Sequence, residues 1–390
     1  MSFTGADYKK AAVLEKLKQS FPKKIDLNFT GSSPPAVFVG RWNYPNIFAG
    51  ILSPAEHDTT SFRMNAPESW VGENLSIDQV LALRGQMVYG RFKTTTKEKQ
   101  NRLKEVMREV AIAIKPADIE FFLKKKPSLG ITLDKIDTPM ANPAPLSFAR
   151  LQGNISVDKH VDSFVNDPYV RSQDALKDLH KRKITNTLMA QVLSVGLLGM
   201  KNQRKMVPSR WAITAVDSAL GNALLTEIKE YPWIDGVKVL EDEYCGNHFM
   251  ILLLPREFNF EVIEIGEENQ ETFWRDYEFY NGRKTYASSV TGFYYAGKLA
   301  VTEYLRAIKK QASVIIMREI KKGYWAHLGV GILRESCRRA VKKNAVSFAT
   351  VDEAINFIRG KMIINVDKYV ARSKILEKYT AQKMITDFLW

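Results

Sequence analysis

Apolar side chains recur at helical spacing in several parts of the chain. Within residues 98–114 they occupy positions 103, 106, 107, 110 and 114, with Arg and Lys between them. This spacing predicts an amphipathic helix with a basic outer face. The same criterion predicts a short helix in the first 30 residues and further helices at residues 174–182, 184–198, 296–321, 331–342 and 367–379.

Short runs rich in β-branched and aromatic residues predict strands at residues 36–39, 211–216, 237–240, 249–254 and 258–265. In the last run Phe258, Phe260 and Val262 alternate onto one face. The strands cluster and do not alternate strictly with helices. We therefore expect an α+β protein, with a central mixed or antiparallel sheet flanked by helices and a helical C-terminal tail.

Proline and glycine divide the chain. Residues 127–156 contain four prolines with several Gly and Asn residues, which predicts an irregular connection. We expect four segments: a helical extension (1–32), an N-terminal domain (33–156), a C-terminal α+β domain (157–360) and a charged helix with a tail (361–390).

Charge is distributed unevenly along the chain, whose formal net charge is +14. Residues 91–126 carry 11 basic and 5 acidic side chains, and residues 306–343 carry 11 and 2. Residues 227–278 carry 4 basic and 14 acidic side chains. The pattern predicts two basic surfaces and one acidic element, and it favours a polyanionic partner such as nucleic acid. The alternative is that the basic helices only have solvated faces.

Composition excludes several classes of protein. A length of 390 residues with 45% hydrophobic residues is enough for two or three domains with cores of their own. Two cysteines and five histidines exclude a disulfide framework and a Cys-rich zinc finger. The longest apolar stretch, near residues 192–200, is too short to span a bilayer, and the N-terminus lacks a secretion signal. We expect a cytoplasmic protein with no membrane partner.

Most catalytic motifs are absent, including the P-loop, the dinucleotide-binding glycine motif, the nucleophile elbow and the zinc-protease motif. Charged residues instead concentrate in a few stretches with apolar neighbours. The candidate catalytic residues are Arg41, Asp58, Arg210, Asp217, Arg283 and Glu319. A metal-dependent nuclease would need a divalent metal ion held by converging carboxylates, for which Asp58, Asp217, Glu278, Glu319 and Glu335 are candidates. The alternative is that these groups form ion pairs.

A second set of residues suits DNA. Arg and Lys interleaved with Tyr supply phosphate contacts and base stacking. The candidate DNA-binding residues are Lys201, Arg204, Lys205, Arg283 and Lys284.

The C-terminus has the spacing of a peptide that binds a sliding clamp. Gln382 is followed by Ile385 and then Phe388, with Leu389 and Trp390 at the end. One short helical turn would align Ile385 with Phe388 as a hydrophobic plug, while the Gln382 amide enters a separate pocket. The alternative is a terminal turn that packs on its own domain.

Several stretches together resemble the archaeal Nre DNA-repair family. They are 33–41 (SPPAVFVGR), 44–45 (YP), 67–70 (PESW), 205–217 (KMVPSRWAITAVD), 246–248 (GNH), 282–287 (GRKTYA) and 318–319 (RE). The similarity runs from about residue 33 to the C-terminus, so that two Nre-like domains are implied at 33–156 and 157–360. The resemblance also implies a role in DNA repair and recruitment by the PCNA clamp through Gln382, Ile385 and Phe388. It supplies no catalytic residues.

Two features depart from that family. Many relatives begin with a Cys-rich segment that binds zinc, whereas residues 1–24 contain no Cys or His. Clamp peptides usually end in two adjacent aromatic residues, whereas this chain has Phe388, Leu389 and then Trp390.

Our hypothesis is a DNA-repair factor that binds DNA and the PCNA clamp, either with a metal-dependent DNA-processing activity or as a non-catalytic adaptor. A third class is an enzyme acting on a nucleotide or another small phosphate compound.

Overall fold

The computed structural model describes residues 13–15, 18–20, 25–98 and 101–381. The chain forms two compact units, residues 1–220 with 325–332 and residues 221–324 with 333–390. Each unit contains a six-stranded sheet with helices, which confirms the α+β class. The division into four segments stays a prediction.

The sheet of the first unit is mixed. Its strand order is β1-β5-β8-β4-β3-β2, in which only β4 and β8 run parallel. The predicted strand at residues 36–39 is confirmed as β2. The strands of this unit are β1 (Asn28–Ser33), β2 (Ala36–Val39), β3 (Asn46–Pro54), β4 (Met87–Thr95), β5 (Ala117–Leu123), β6 (Ile131–Thr132), β7 (Met140–Ala141) and β8 (Pro143–Leu151).

Helices pack on both faces of this sheet, since Leu83 contacts the cluster of Met87 and Tyr89 on the side opposite Val88. The predicted amphipathic helix is confirmed as α3, which starts where the Asn101 side chain accepts hydrogen bonds from the N–H groups of Leu103 and Lys104. Its apolar side packs on β2, β3 and β8. The helices are α1 (Pro67–Gly72), α2 (Ile77–Gly85), α3 (Arg102–Ile112), α4 (Lys159–Asn166), α5 (Ser172–Lys181), α6 (Asn186–Ser194) and α7 (Ser209–Ile228).

The second unit contains the sheet β12-β11-β13-β10-β9-β14, in which only β11 and β13 run parallel. The strands predicted at residues 237–240, 249–254 and 258–265 are confirmed as β9, β10 and β11. The elements are β9 (Val237–Tyr244), β10 (Asn247–Leu254), β11 (Phe260–Gly266), β12 (Asn269–Glu278), α8 (Gly292–Ala307), β13 (Ser313–Ile320), α9 (Val330–Ala340), β14 (Val346–Phe348), α10 (Val351–Arg359), α11 (Asp367–Val370) and α12 (Lys374–Ala381). None of the helices among the described residues has the length and apolar character needed to cross a bilayer.

The strand predicted at residues 211–216 is wrong, because this run belongs to α7. Ala212, Val216 and Leu220 are fully buried at intervals of four, while Trp211 and Ala215 are exposed. That period is helical. The β-branched residues of the short run suited a strand, but the longer window up to residue 228 has the helical period.

The helix predicted at residues 296–321 is too long. α8 ends at Ala307, Lys309 adopts a left-handed conformation with φ of 50°, and the chain then enters β13. Residues 313–319 are buried without a break because β13 lies between β10 and β11. A central strand buried on both faces loses the alternation that distinguishes strands from helices.

Residues 127–156 are more regular than the predicted irregular connection, since they contain β6, β7 and β8. Pro143 and Pro145 lie at the start of β8, before its pairing with β5 begins at Leu146. Their carbonyl oxygens still accept hydrogen bonds, from the N–H groups of Ser128 (3.2 Å) and Lys124 (2.8 Å). The sheet is therefore intact although Pro143 and Pro145 have no backbone N–H group to donate.

Candidate functional site

A tight turn in the first unit carries two acidic residues, Asp134 and Asp137. The Oδ1 atom of Asp134 accepts hydrogen bonds from the N–H groups of Ile136 (2.8 Å) and Asp137 (3.2 Å). The turn is closed from the other side by residues 329–330, where the Val330 N–H donates to the Ile136 carbonyl oxygen at 3.0 Å. Gly329 has φ of 85°, and a Cβ atom there would lie 2.8 Å from the Asp137 carbonyl oxygen, so glycine is required for this close approach.

Two arginines act on this turn. Arg210, in the first turn of α7, places its Nη1 atom 3.2 Å from Oδ2 of Asp134. Arg41 follows β2, and its guanidinium lies 4.6 Å from the ring centroid of Trp42. The positive charges of Arg210 and Arg41 both lower the pKa of Asp137. We call Asp134, Asp137, Arg41 and Arg210 the Asp137 site.

The Asp137 carboxyl is buried, with 8% of the residue exposed, and its Oδ1 atom has no hydrogen-bond partner among the described residues. Burial, reinforced by the negative charge of Asp134, raises the pKa of Asp137 to about 7, although Arg210 and Arg41 oppose the shift. The carboxyl can therefore gain or lose a proton near neutral pH.

Tyr89 on β4 is a second buried polar group whose environment depends on Asp137. Its hydroxyl has no hydrogen-bond partner within the described part of the chain. Burial raises the pKa of Tyr89, Arg91 opposes this change, and the Asp137 charge adds to it. Buried polar atoms without partners are rare and concentrate where ligands bind.

The Asp137 site combines groups suited to phosphate chemistry. Guanidinium groups are common protein partners of phosphate, and a carboxyl that titrates near neutrality can exchange a proton with a bound group. The sequence analysis identified Arg41 and Arg210 but missed Asp134 and Asp137. A signal was present, because these two acids are three residues apart in a loop bounded by Gly130 and Pro139.

The structure places the other predicted catalytic residues elsewhere. In the first unit, Asp58 accepts hydrogen bonds from the N–H and Oγ1 of Thr60 (both 2.7 Å), and buried Asp217 accepts one from Asn186 Nδ2 at 2.9 Å. Arg283 and Glu319 belong to the second unit. Of the six candidates, only Arg41 and Arg210 are seen to act on the same carboxyl, that of Asp137.

Glu319 lies in a buried ion-pair network. His248 places Nδ1 3.3 Å from Glu319 and Nε2 3.1 Å from Glu241, and the second oxygen of Glu319 accepts the Ile364 N–H at 2.6 Å. Hydrogen bonds to both carboxylates raise the pKa of His248 despite burial. Because the two acids approach opposite ring nitrogens, they do not converge on one point.

Other predicted metal ligands also have cationic partners, since Glu278 pairs with Lys298 and Glu335 with Arg334 and Arg338. Within the described ranges, no group of three or more His, Cys, Asp or Glu side chains is arranged to hold a metal ion.

The predicted DNA-binding residues fall into two groups. Arg204 donates to the backbone carbonyl groups of residues 164, 165, 167 and 199. Arg283 donates to Asp276, to the carbonyl group of Tyr277 in β12 and to two carbonyl groups of its own loop. Lys201, Lys205 and Lys284 are exposed. Lys205 lines a cleft of about 410 Å³ beside Arg171 and the start of α5.

The second of the two predicted basic surfaces is largely neutralised. Cations of residues 306–343 pair with acids of residues 227–278 inside the second unit, because α8, β13 and α9 bring them beside β9, β11 and their neighbours. The pairs are Arg306–Glu227 (2.8 Å), Lys310–Asp235 (3.3 Å), Arg318–Glu264, Lys321–Glu243 (2.8 Å), Lys322–Glu267 (3.7 Å), Arg339–Asp242 (2.9 Å) and Lys343–Asp242 (2.6 Å). A charge count along the sequence could not show this cancellation.

The predicted clamp peptide, Gln382, Ile385, Phe388, Leu389 and Trp390, lies outside the described residues. Its role stays a prediction.

Comparison with known proteins covers nearly the whole chain. The family model for the archaeal Nre N-terminal region matches residues 7–275, and the model for the C-terminal region matches residues 278–388. The chain is 32% identical over 371 residues to DNA repair protein NreA of Haloferax volcanii, covering 90% of this chain and 88% of that protein.

Two proteins of Archaeoglobus fulgidus are similar to the same extent. DNA repair protein NreA is 34% identical over 356 residues (89% of this chain, 88% of that protein), and DNA repair protein NreB is 31% identical over 375 residues (94% and 93%). No solved structure matches the chain. Both family models and all three similarities agree with the resemblance noted in the sequence, and the chain belongs to the archaeal Nre family.

Proposed function

We propose that this chain is a DNA-repair factor that binds DNA through the first unit and is recruited to the PCNA sliding clamp by its C-terminal peptide. The names of its relatives support the repair role. One observation supports placing DNA on the first unit. Several of its lysines are exposed and form no ion pair with any described residue, whereas the cations of the second unit named above are paired. These lysines of the first unit are Lys93, Lys97, Lys115, Lys124, Lys125 and Lys126.

DNA affinity is expected to fall steeply as salt rises, since each phosphate that a lysine neutralises releases condensed counterions. Changing Lys124, Lys125 and Lys126 together to Ala should weaken binding and reduce the slope of log affinity against log salt by roughly 2 to 3. Fluorescence anisotropy with labelled DNA across a salt series measures both quantities.

A charge-matched control is available in the second unit. Arg306, Lys310 and Lys322 each have an acidic partner, so changing all three to Ala removes the same formal charge from cations that are already neutralised. This variant should retain most of the affinity. If folded wild-type protein binds no DNA even at low salt, the DNA-binding proposal is wrong.

Recruitment by the clamp is tested with the tail. Burying Ile385, Phe388 and a neighbouring apolar side chain contributes roughly 1.5 to 3 kcal/mol each before ordering costs, which suits micromolar binding by a short peptide. We expect a fluorescent peptide of residues 382–390 to bind the clamp, and Phe388→Ala to weaken it by roughly tenfold or more.

The control for the tail is Lys383→Ala, which leaves every predicted contact position unchanged and should bind like the wild type. In the full-length protein, Phe388→Ala should leave the melting temperature nearly unchanged. A large drop in melting temperature with intact clamp affinity would show that the tail is part of the folded core.

The Asp137 site favours a second candidate function, an enzyme acting on a nucleotide or another small phosphate compound. The supporting observation is a buried carboxyl that titrates near neutrality and is influenced by the positive charges of two arginines. Saturable binding of a nucleotide that Arg210→Ala abolishes, without loss of DNA binding, would favour this function. A non-catalytic adaptor would show no such nucleotide binding.

A further inference from the structure

The face of the first-unit sheet opposite α3 and α6 presents aromatic rings to solvent. On β3, Ile47 and Ala49 point into the core, whereas Phe48 between them is 37% exposed. On β8, Ala149 belongs to the core, whereas Phe148 is 40% exposed. Burying such rings normally stabilises a fold, so two exposed rings on one sheet face indicate a binding surface.

The strand pairing places these rings on nearby strands of the same face. Phe48 lies opposite Lys93 of β4, and Phe148 lies opposite Phe122 of β5, with 5.5 Å between the Phe148 and Phe122 ring centroids. β4 and β8 are neighbours, so that β3 and β8 are separated by two strand spacings, about 10 Å. These side chains therefore lie on four adjacent strands of the sheet, β5, β8, β4 and β3.

Cations accompany the rings. The Arg91 guanidinium lies 4.7 Å and the Lys93 ammonium 5.7 Å from the centroid of the Phe48 ring. The exposed lysines 124–126 follow β5 directly, and the Lys124 N–H is bonded to Pro145 of β8. Rings bordered by positive charges suit bases attached to phosphates better than they suit an apolar protein surface, because lysines are depleted from the centres of protein–protein interfaces.

Two acidic groups of β5 on this face, Glu120 and Asp118, have partners of their own. Glu120 of β5 pairs with Arg150 of β8. Asp118, at the opposite end of β5 from the lysines, accepts a hydrogen bond from Ser32 and lies 3.0 Å from Nδ1 of His57. The lysines 124–126 therefore lie at the end of β5 away from Asp118, where Lys124 is level with Pro145 and Arg91.

We propose that this face binds single-stranded DNA, with bases stacked on Phe48 and Phe148 and phosphates held by Arg91, Lys93 and the lysines 124–126. The inference rests on the DNA binding proposed above and specifies its site and strandedness. In a duplex the base faces are stacked on one another, so rings of this kind can accept only bases that are already unpaired.

The test uses the full-length protein with Phe48→Ala and Phe148→Ala, separately and together. The control is Phe62→Ala, since Phe62 is an exposed ring (49%) outside the strands, in the short turn Ser61–Asn65. Anisotropy is measured with a labelled single strand, with a duplex and with RNA of the same sequence. A fluorescent aminopurine in the strand reports stacking, which a change in electrostatics alone would not alter.

We expect wild-type protein to prefer the single DNA strand, and each Phe→Ala change to weaken it roughly tenfold and to abolish aminopurine quenching. The salt slope should stay unchanged because the cations remain. Phe48→Tyr and Phe148→Tyr should restore binding, which separates lost stacking from misfolding.

Three results would overturn the inference: single-strand binding that both Ala variants retain in full, a preference for the duplex, or a preference for RNA. The failure of the broader proposal is distinct, because it requires that wild-type protein binds neither form of DNA at low salt.

Discussion

Replacing Asp137 by Asn is expected to raise the free energy of unfolding at about pH 8 by about 4 kcal/mol. Burial raises the pKa of Asp137 from 3.8 to about 7 in the folded protein, and each tenfold change in a proton equilibrium corresponds to about 1.4 kcal/mol. Asn keeps the size of the side chain but carries no charge to desolvate. Burial of the charged Asp137 carboxyl therefore lowers the free energy of unfolding, and Asp137→Asn recovers this loss. Such a loss of stability is common where function requires a buried ionisable group.

The direction of the pH dependence follows from linkage. Because the folded protein holds the Asp137 proton more tightly than the unfolded chain, this carboxyl favours folding at low pH, and its contribution is lost as pH rises from about 4 to about 7. Urea denaturation across this range should show a fall in stability for the wild type and a weaker fall for Asp137→Asn. Equal slopes in the two proteins would show that Asp137 is not the titrating group.

Asp134→Asn is the matched control for Asp137→Asn. Asp134 holds two backbone N–H groups and Arg210. Asn can still accept the two N–H groups, so this change removes the ion pair with Arg210 and should not give the gain in stability expected at Asp137. It should also move the pH transition downward, since the Asp134 charge contributes to the raised pKa of Asp137.

Glu319→Ala is expected to lower the free energy of unfolding by about 3 to 5 kcal/mol, the usual cost of removing one partner from a buried ion pair. Glu319 is fully buried, and its removal leaves both the Ile364 N–H and the Nδ1 side of His248 without an acceptor. Urea denaturation at about pH 6, where His248 is charged, measures the effect.

Glu319→Gln separates the hydrogen bond from the charge. The Gln oxygen can still accept the Ile364 N–H, so the loss should be smaller than for Ala. The pKa of His248 is raised in the folded protein, so its stabilising contribution is present below about pH 6.5 and is lost as pH rises through the raised value. This dependence should weaken in Glu319→Gln. If Glu319→Ala keeps full stability, the ion-pair interpretation is wrong and the catalytic candidacy of Glu319 regains support.

Local pattern predicted much of the fold. α3 follows from apolar periodicity over about ten residues, and β2 follows from a short run of apolar and β-branched residues, because the side chains that define each element are close neighbours in the chain. The same reasoning failed for β13, because this strand is buried on both faces. It also failed for residues 211–216, because six residues are too few to show the helical period of α7. Family membership also followed from sequence, since its motifs are short and contiguous.

The environment of each charge depended on tertiary structure. The sequence alone determined that residues 306–343 are basic and that residues 227–278 are acidic, but only the folded second unit shows that these charges pair. Likewise, Asp137 becomes a candidate functional group only because the folded first unit buries its carboxyl, and residues 329–330, about 190 residues later, pack against the backbone of its turn. Desolvation and ion pairing depend on which surfaces meet in space, and residues far apart in the chain decide that.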